Sequence, residues 1–69
     1  MIALAVLTPR QRQIVALVAD GLTDAAIGCY LGITSYTVHH HLHEAFTRTG
    51  LENRVQLAVA YDREVHHRV

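Results

Sequence analysis

The chain has no lysine, so every fixed positive side chain is one of six arginines, and six aspartates and glutamates match them. A formal net charge of zero removes the basic excess that usually draws a protein onto a nucleic-acid backbone without regard to sequence. There is one cysteine, Cys29, which rules out an intramolecular disulfide. Its expected place is as a small buried side chain rather than a reactive thiol. No apolar run is long enough to span a bilayer: residues 1–7 are apolar but short, and they lack a positively charged leader. They read as an arm that packs on the domain or on a second copy. With no sorting signal, the expectation is a soluble cytoplasmic protein without a membrane partner. No nucleophile stands beside a base, no carboxylate pair has a clear spacing, and the chain is too short for a deep pocket. Neither an enzyme nor a cofactor is expected.

What is present is apolar residue in quantity. Hydrophobic residues make up 51% of the 69 positions, generous for a domain near the lower size limit for folding without staples. Strand alternation, repeats and low complexity are all missing, whereas helix punctuation is plain. Thr8 and Gln11 have the form of a capping box with Pro9 at the first helical position. Ile14, Val15, Leu17 and Val18 form an apolar stripe that runs to Asp20, and Gly21 stops it. Thr23 caps a second helix of about nine residues bearing Ile27 and Leu31. Gly28, inside that helix, costs roughly 1 kcal/mol relative to Ala, a cost that a close helix crossing explains. Gly32 supplies the turn. Thr34 or Ser35 caps a third helix that ends at Gly50, and a fourth begins near Asn53. The expected fold is all-α, a four-helix domain over residues 8–65 with a tail at 66–69.

The second and third helices, joined by a tight glycine turn, have the spacing of a helix-turn-helix, whose second helix commonly enters the DNA major groove. On the third helix Val38, Leu42, Ala45, Phe46 and Thr49 fall on one side, the core face. Tyr36, His40, His43, Glu44 and Thr47 fall on the other, flanked by His39 and His41. The outward face therefore carries histidines where a DNA reader usually carries Lys or Arg, and histidine charge is undecided near neutral pH.

Leu7 to Arg10, the break at Gly21 to Thr23, Ala26 and Ile27 with Leu31 to Ile33, Thr37 and Val38, His41 and Leu42, Gly50 and Leu51, and Arg54 come in a specific order. Together, over residues 7–61, they resemble the LuxR/GerE-type helix-turn-helix. Sigma-factor region 4 is a related pattern, but the His41–Leu42 pair after Thr37 and Val38 and the later Gly50 favour the LuxR type. The resemblance implies a transcription-factor domain that reads double-stranded DNA through the third helix and commonly dimerises through the fourth. With no sensor segment ahead of it, the chain resembles the short stand-alone form. Four positions depart from the pattern. Gln11 replaces an acid that could hold Arg54, and Ala26 replaces another acid. His39 replaces a basic residue, and Thr49 replaces a leucine on the core face.

The candidate DNA contacts are Thr23, Thr34, Ser35, Tyr36, His39, His40, His43 and Thr47. Protonated imidazoles donate to phosphate or guanine, and neutral ones still hydrogen-bond. Tyr36 offers a hydroxyl to phosphate or a ring to a base methyl. Backbone N–H groups near Thr23 and Ser35 suit phosphate without side-chain charge. A solvated polar face is the alternative for the histidines. A metal is a further one, since His39 and His43 are spaced i, i+4, but two ligands are not a site and no metal is assigned. His41 is expected to be structural and half-buried, Arg48 to pair with Glu44, and Arg54 to anchor the fourth helix. Arg10 and Arg12 suit either phosphate or solvent. Val55 and Val59 lie one turn apart, away from Leu57, Ala58 and Tyr61, and are the candidate homodimer surface. The competing function is a protein-interaction module of the same shape that binds another transcription regulator or the transcription machinery.

Overall fold

The computed structural model describes residues 3–66, and the expectations for Met1, Ile2 and residues 67–69 lie outside them. A short 3-10 turn, Ala3–Val6, leads into four helices: α1 Pro9–Ala19, α2 Asp24–Leu31, α3 Ser35–Thr49 and α4 Arg54–His66. No strand occurs among the described residues.

Side-chain caps set the helix starts. Thr8 Oγ1 accepts from Gln11 N at 3.1 Å while Thr8 N donates to Gln11 Oε1 at 3.0 Å, so both halves of the capping box are made. Thr23 Oγ1 accepts from Ala26 N, Thr34 Oγ1 from Thr37 N, and Asn53 Oδ1 from Gln56 N. Each cap satisfies an N–H that the first turn leaves without a partner. Thr34, not Ser35, is therefore the cap of α3. The glycines set the ends: Gly32 and Gly50 have φ of 74° and 76°, a left-handed conformation that costs glycine little. Thr49 turns its polarity to use at the end of α3. Its Oγ1 donates to Ala45 O at 2.8 Å and accepts from Leu51 N at 3.2 Å, so a hydroxyl where leucine is usual still has partners.

The core gathers one stripe from each helix: Ile14, Val15 and Val18 from α1, Ile27 from α2, Val38, Leu42 and Ala45 from α3, and Leu57 from α4. Burying a side chain of this kind contributes roughly 1.5–3 kcal/mol, which offsets the conformational entropy of so small a chain. The apolar arm joins this core, because Leu4 is 1% exposed. Phe46, Ala58 and Tyr61 are half-buried against its edge.

Gly28 allows α2 and α3 to meet. A Cβ there would lie 2.5 Å from Ile33 O and 3.2 Å from Ser35 N, both backbone atoms of the turn. The turn itself is closed by Ile33 N donating to Gly28 O at 2.9 Å. α2 and α3 are thus held too closely for any side chain at this crossing.

Two polar expectations are corrected, for Cys29 and Arg48, and the one for Arg54 is met. Cys29 is exposed, not buried. It sits roughly 150° around α2, at about 100° per residue, from the stripe of Asp24, Ile27, Gly28 and Leu31 that faces the fold. Arg48 does not pair with Glu44; its Nη1 donates to Val6 O at 3.2 Å, fastening the 3-10 turn to the end of α3. Arg54 anchors the fourth helix as expected, and does so without an acid at position 11. Its Nη1 donates to Asp24 Oδ1 at 2.8 Å and its Nη2 to Leu22 O at 3.1 Å, which locks α4 to the start of α2.

Candidate nucleic-acid interface

The outward face of α3 is what the core leaves over. Because Val38, Leu42 and Ala45 are buried, the helical repeat of 3.6 residues turns the positions between them outward. Ser35, Tyr36, His39, His40, His43 and Thr47 are all exposed, Tyr36 to 78%. His41 stands at the boundary, half-buried, with its ring centroid 6.4 Å from that of His40. The caps Thr23 and Thr34 are exposed at the starts of α2 and α3. The structure therefore places six of the eight candidate contacts on one helix face and two at helix starts.

The face is polar but carries little fixed charge. His40 and His43 side chains make no hydrogen bond or ion pair among the described residues. Thr47 Oγ1 donates to His43 O at 3.1 Å, a local bond that uses its proton and leaves its oxygen free to accept. Thr34 and Thr37 share a hydroxyl–hydroxyl bond of 3.0 Å, and Thr34 Oγ1 also accepts from Thr37 N. The first N–H groups of α3 have no intrahelical acceptor by helix geometry, and they point the positive end of the helix outward beside Ser35 and Tyr36.

Arg12, Arg48 and Arg54 are occupied elsewhere. Arg12 Nη2 donates to Glu64 Oε2 at 2.9 Å and its Nη1 to Leu4 O at 3.2 Å, joining α1, α4 and the arm. Arg10 is exposed and donates to Gln13 Oε1 on its own helix. No group of three or more potential metal ligands occurs among the described residues.

Asp24, not among the candidate contacts, also belongs to this site. Its Oδ1 holds Arg54, and its Oδ2 lies 3.9 Å from His39 Nδ1. The one sequence signal was an acid directly after the Thr23 cap, a position the helix dipole favours. The pairing with Arg54, 30 residues away, leaves no trace in local pattern.

On α4, Val55 is 67% and Val59 44% exposed, while Leu57 is fully buried. Beside Val55 an open groove of about 420 Å³ runs between the end of α1 and the start of α4, lined by Val18, Leu22, Asp24, Arg54 and Ala58 among others.

A helix-turn-helix built on this plan defines the class. The family described as "Bacterial regulatory proteins, luxR family" matches residues 5–61, and the chain belongs to it. Among curated relatives, the transcriptional activator protein AhyR of Aeromonas hydrophila is 40% identical over 50 residues, covering 72% of this chain and 19% of that protein. The probable transcriptional regulatory protein SgaR of Hyphomicrobium methylovorum is 36% identical over 63 residues, covering 87% and 30%. The nitrate/nitrite response regulator protein NarL of Escherichia coli is 42% identical over 53 residues, covering 77% and 24%. The chain thus spans less than a third of the length of each of these relatives. No solved structure matches it significantly. No described helix is long and apolar enough to cross a membrane.

Proposed function

We propose that the chain binds double-stranded DNA as part of a transcription regulator and reads the major groove with α3. The observation that carries this reading is the exposed row of Ser35, Tyr36, His39, His40, His43 and Thr47 on the helix that follows the glycine turn. Every one of these side chains can hydrogen-bond, and the opposite side of the same helix is buried. The N-termini of α2 and α3 contact phosphate at Thr23 and Thr34, fixing the angle at which α3 enters. Membership of a family of regulatory proteins, and relatives named as transcriptional regulators, support the same reading.

The chain works as a homodimer in this proposal. Val55 and Val59 form an exposed apolar strip on α4 beside the groove lined by Leu22 and Ala58. A two-fold contact there requires a palindromic site. Substituting both valines with Asp abolishes dimer in sedimentation at high micromolar concentration; unchanged sedimentation refutes this surface.

One observation favours a second reading, a module that binds another regulator: the chain is neutral overall and three of its arginines are tied to other elements of the fold. Binding measured against salt separates the two. DNA affinity that falls steeply as salt rises supports the reader. Failure to bind any duplex selected from random-sequence DNA, together with salt-insensitive capture of a protein, refutes it.

A further inference from the structure

Asp24 faces two ways. One carboxylate oxygen takes the Arg54 guanidinium of α4 at 2.8 Å, and the other lies 3.9 Å from His39 Nδ1 on α3. The Asp24 side chain is 26% exposed and that of His39 is 74% exposed. One nitrogen of the imidazole thus stands beside an anion rooted in the framework, and Nε2 is on the far side of the ring.

We propose that Asp24 is a positioning residue for base readout. It keeps the proton of neutral His39 on Nδ1, so Nε2 meets the groove as an acceptor until His39 is protonated and as a donor afterwards. This rests on the reading of α3 as the DNA-contacting helix. A carboxylate only accepts, and a neutral imidazole has one donor and one acceptor. At 3.9 Å the contact is longer than a hydrogen bond, but the nearby carboxylate still favours a proton on the ring nitrogen closer to it, which selects the tautomer. The other tautomer would set a lone pair against the carboxylate oxygen.

The two states of His39 ask for opposite partners. Nε2 as an acceptor suits the exocyclic amine of cytosine or adenine, and as a donor it suits O6 or N7 of guanine. The preferred base, and not affinity alone, changes with the proton. The groups around His39 are Asp24 from α2, Arg54 of α4 on the other oxygen of that carboxylate, and Ser35, Tyr36, His40 and His43 from its own helix. No carboxylate oxygen lies within 4.0 Å of an imidazole nitrogen of His40 or His43 among the described residues, so the effect is specific to His39.

Long-range proton–nitrogen correlation spectra of the nitrogen-15-labelled chain, free of DNA at about pH 8, read the tautomer directly. The parent is expected to show a majority of the Nδ1–H form at His39, and Asp24→Ala a shift to Nε2–H. Arg54→Gln breaks the same ion pair but keeps the carboxylate, so it retains Nδ1–H. A purely structural role for Asp24 would move both variants alike, and that result overturns the proposal. Should Asp24→Ala fail to fold, an Nε2–H majority in the parent or in Arg54→Gln overturns it as well. Selection of bound duplexes from random-sequence DNA at two pH values tests the readout. One base position is expected to change from cytosine or adenine toward guanine at the lower pH, by roughly two- to tenfold, the worth of one hydrogen bond. Asp24→Ala removes that change. The same base at both pH values in the parent overturns the readout. Recovery of no duplex overturns the DNA reading on which the readout rests, while the spectra still decide the Asp24–His39 contact.

Discussion

The side of the molecule built from α1, α4 and the arm uses its charges differently from the outer face of α3. On the first, Arg12 joins Glu64 and Leu4 O, and Arg54 joins Asp24 and Leu22 O; nearby, Arg48 holds Val6 O. On the second, exposed histidines stand with few partners, and none of them carries a fixed charge. Arg12, Arg48 and Arg54 hold elements of the fold together, and under the proposed function the titratable groups of α3 are the ones that face the ligand. In a chain of zero net charge this division means that attraction to a polyanion depends on the proton concentration.

The largest effect is expected where α2 crosses α3, the contact that orients the histidine-bearing face. Gly28→Val places a Cβ 2.5 Å from Ile33 O, a backbone atom that cannot swing away. It should destabilise the chain by about 3 kcal/mol despite the poor helix propensity of glycine, read by urea denaturation. Stability within about 1 kcal/mol of the parent would mean that the α2–α3 crossing is not set by this contact.

Next comes Arg54→Gln, which removes two donated hydrogen bonds and leaves Asp24 without its cation. Since the Arg54 side chain is 41% exposed, solvent screening limits the loss to about 1–2 kcal/mol. Arg12→Gln loses its pair with Glu64 and its bond to Leu4 O, at 2.9 and 3.2 Å each slightly longer than the 2.8 and 3.1 Å bonds of Arg54, and should cost about 0.5–1 kcal/mol. Thermal melts of both variants check the order. At the bottom of the scale, replacing His39, His40 and His43 together with Gln should change stability by less than about 0.5 kcal/mol. A loss as large as that for Arg54→Gln would erase the division between the two sides.

Much of this fold is legible in local pattern. Thr8, Thr23, Gly32 and Gly50 act through bonds to neighbours a few residues away, and those bonds are where the sequence places them. The core face of α3 follows from period alone. Contacts between elements are less legible. Glu44 is one turn from Arg48, yet Arg48 reaches the arm, because the packing of Leu4 brings Val6 O within range. Asp24 meets Arg54 and approaches His39 only once α2, α3 and α4 have crossed. Residue type alone points Cys29 to the core, whereas the short stripe of α2 points it to solvent, where it lies. The candidate contacts on α3 come from the same period, whereas the role of Asp24 beside them needed the assembled helices.

The most direct test of the division of charge is fluorescence anisotropy of a bound DNA duplex between about pH 6 and pH 8, on the parent and on the chain with Gln at 39, 40 and 43. A neighbouring polyanion favours the protonated imidazole, so linkage makes binding tighten as pH falls through the histidine range. Each added proton also steepens the salt dependence, by up to about 0.9 in the logarithmic slope. The account predicts both trends in the parent and their loss in the triple variant. A flat affinity in the parent, or the same pH profile in both proteins, would contradict it.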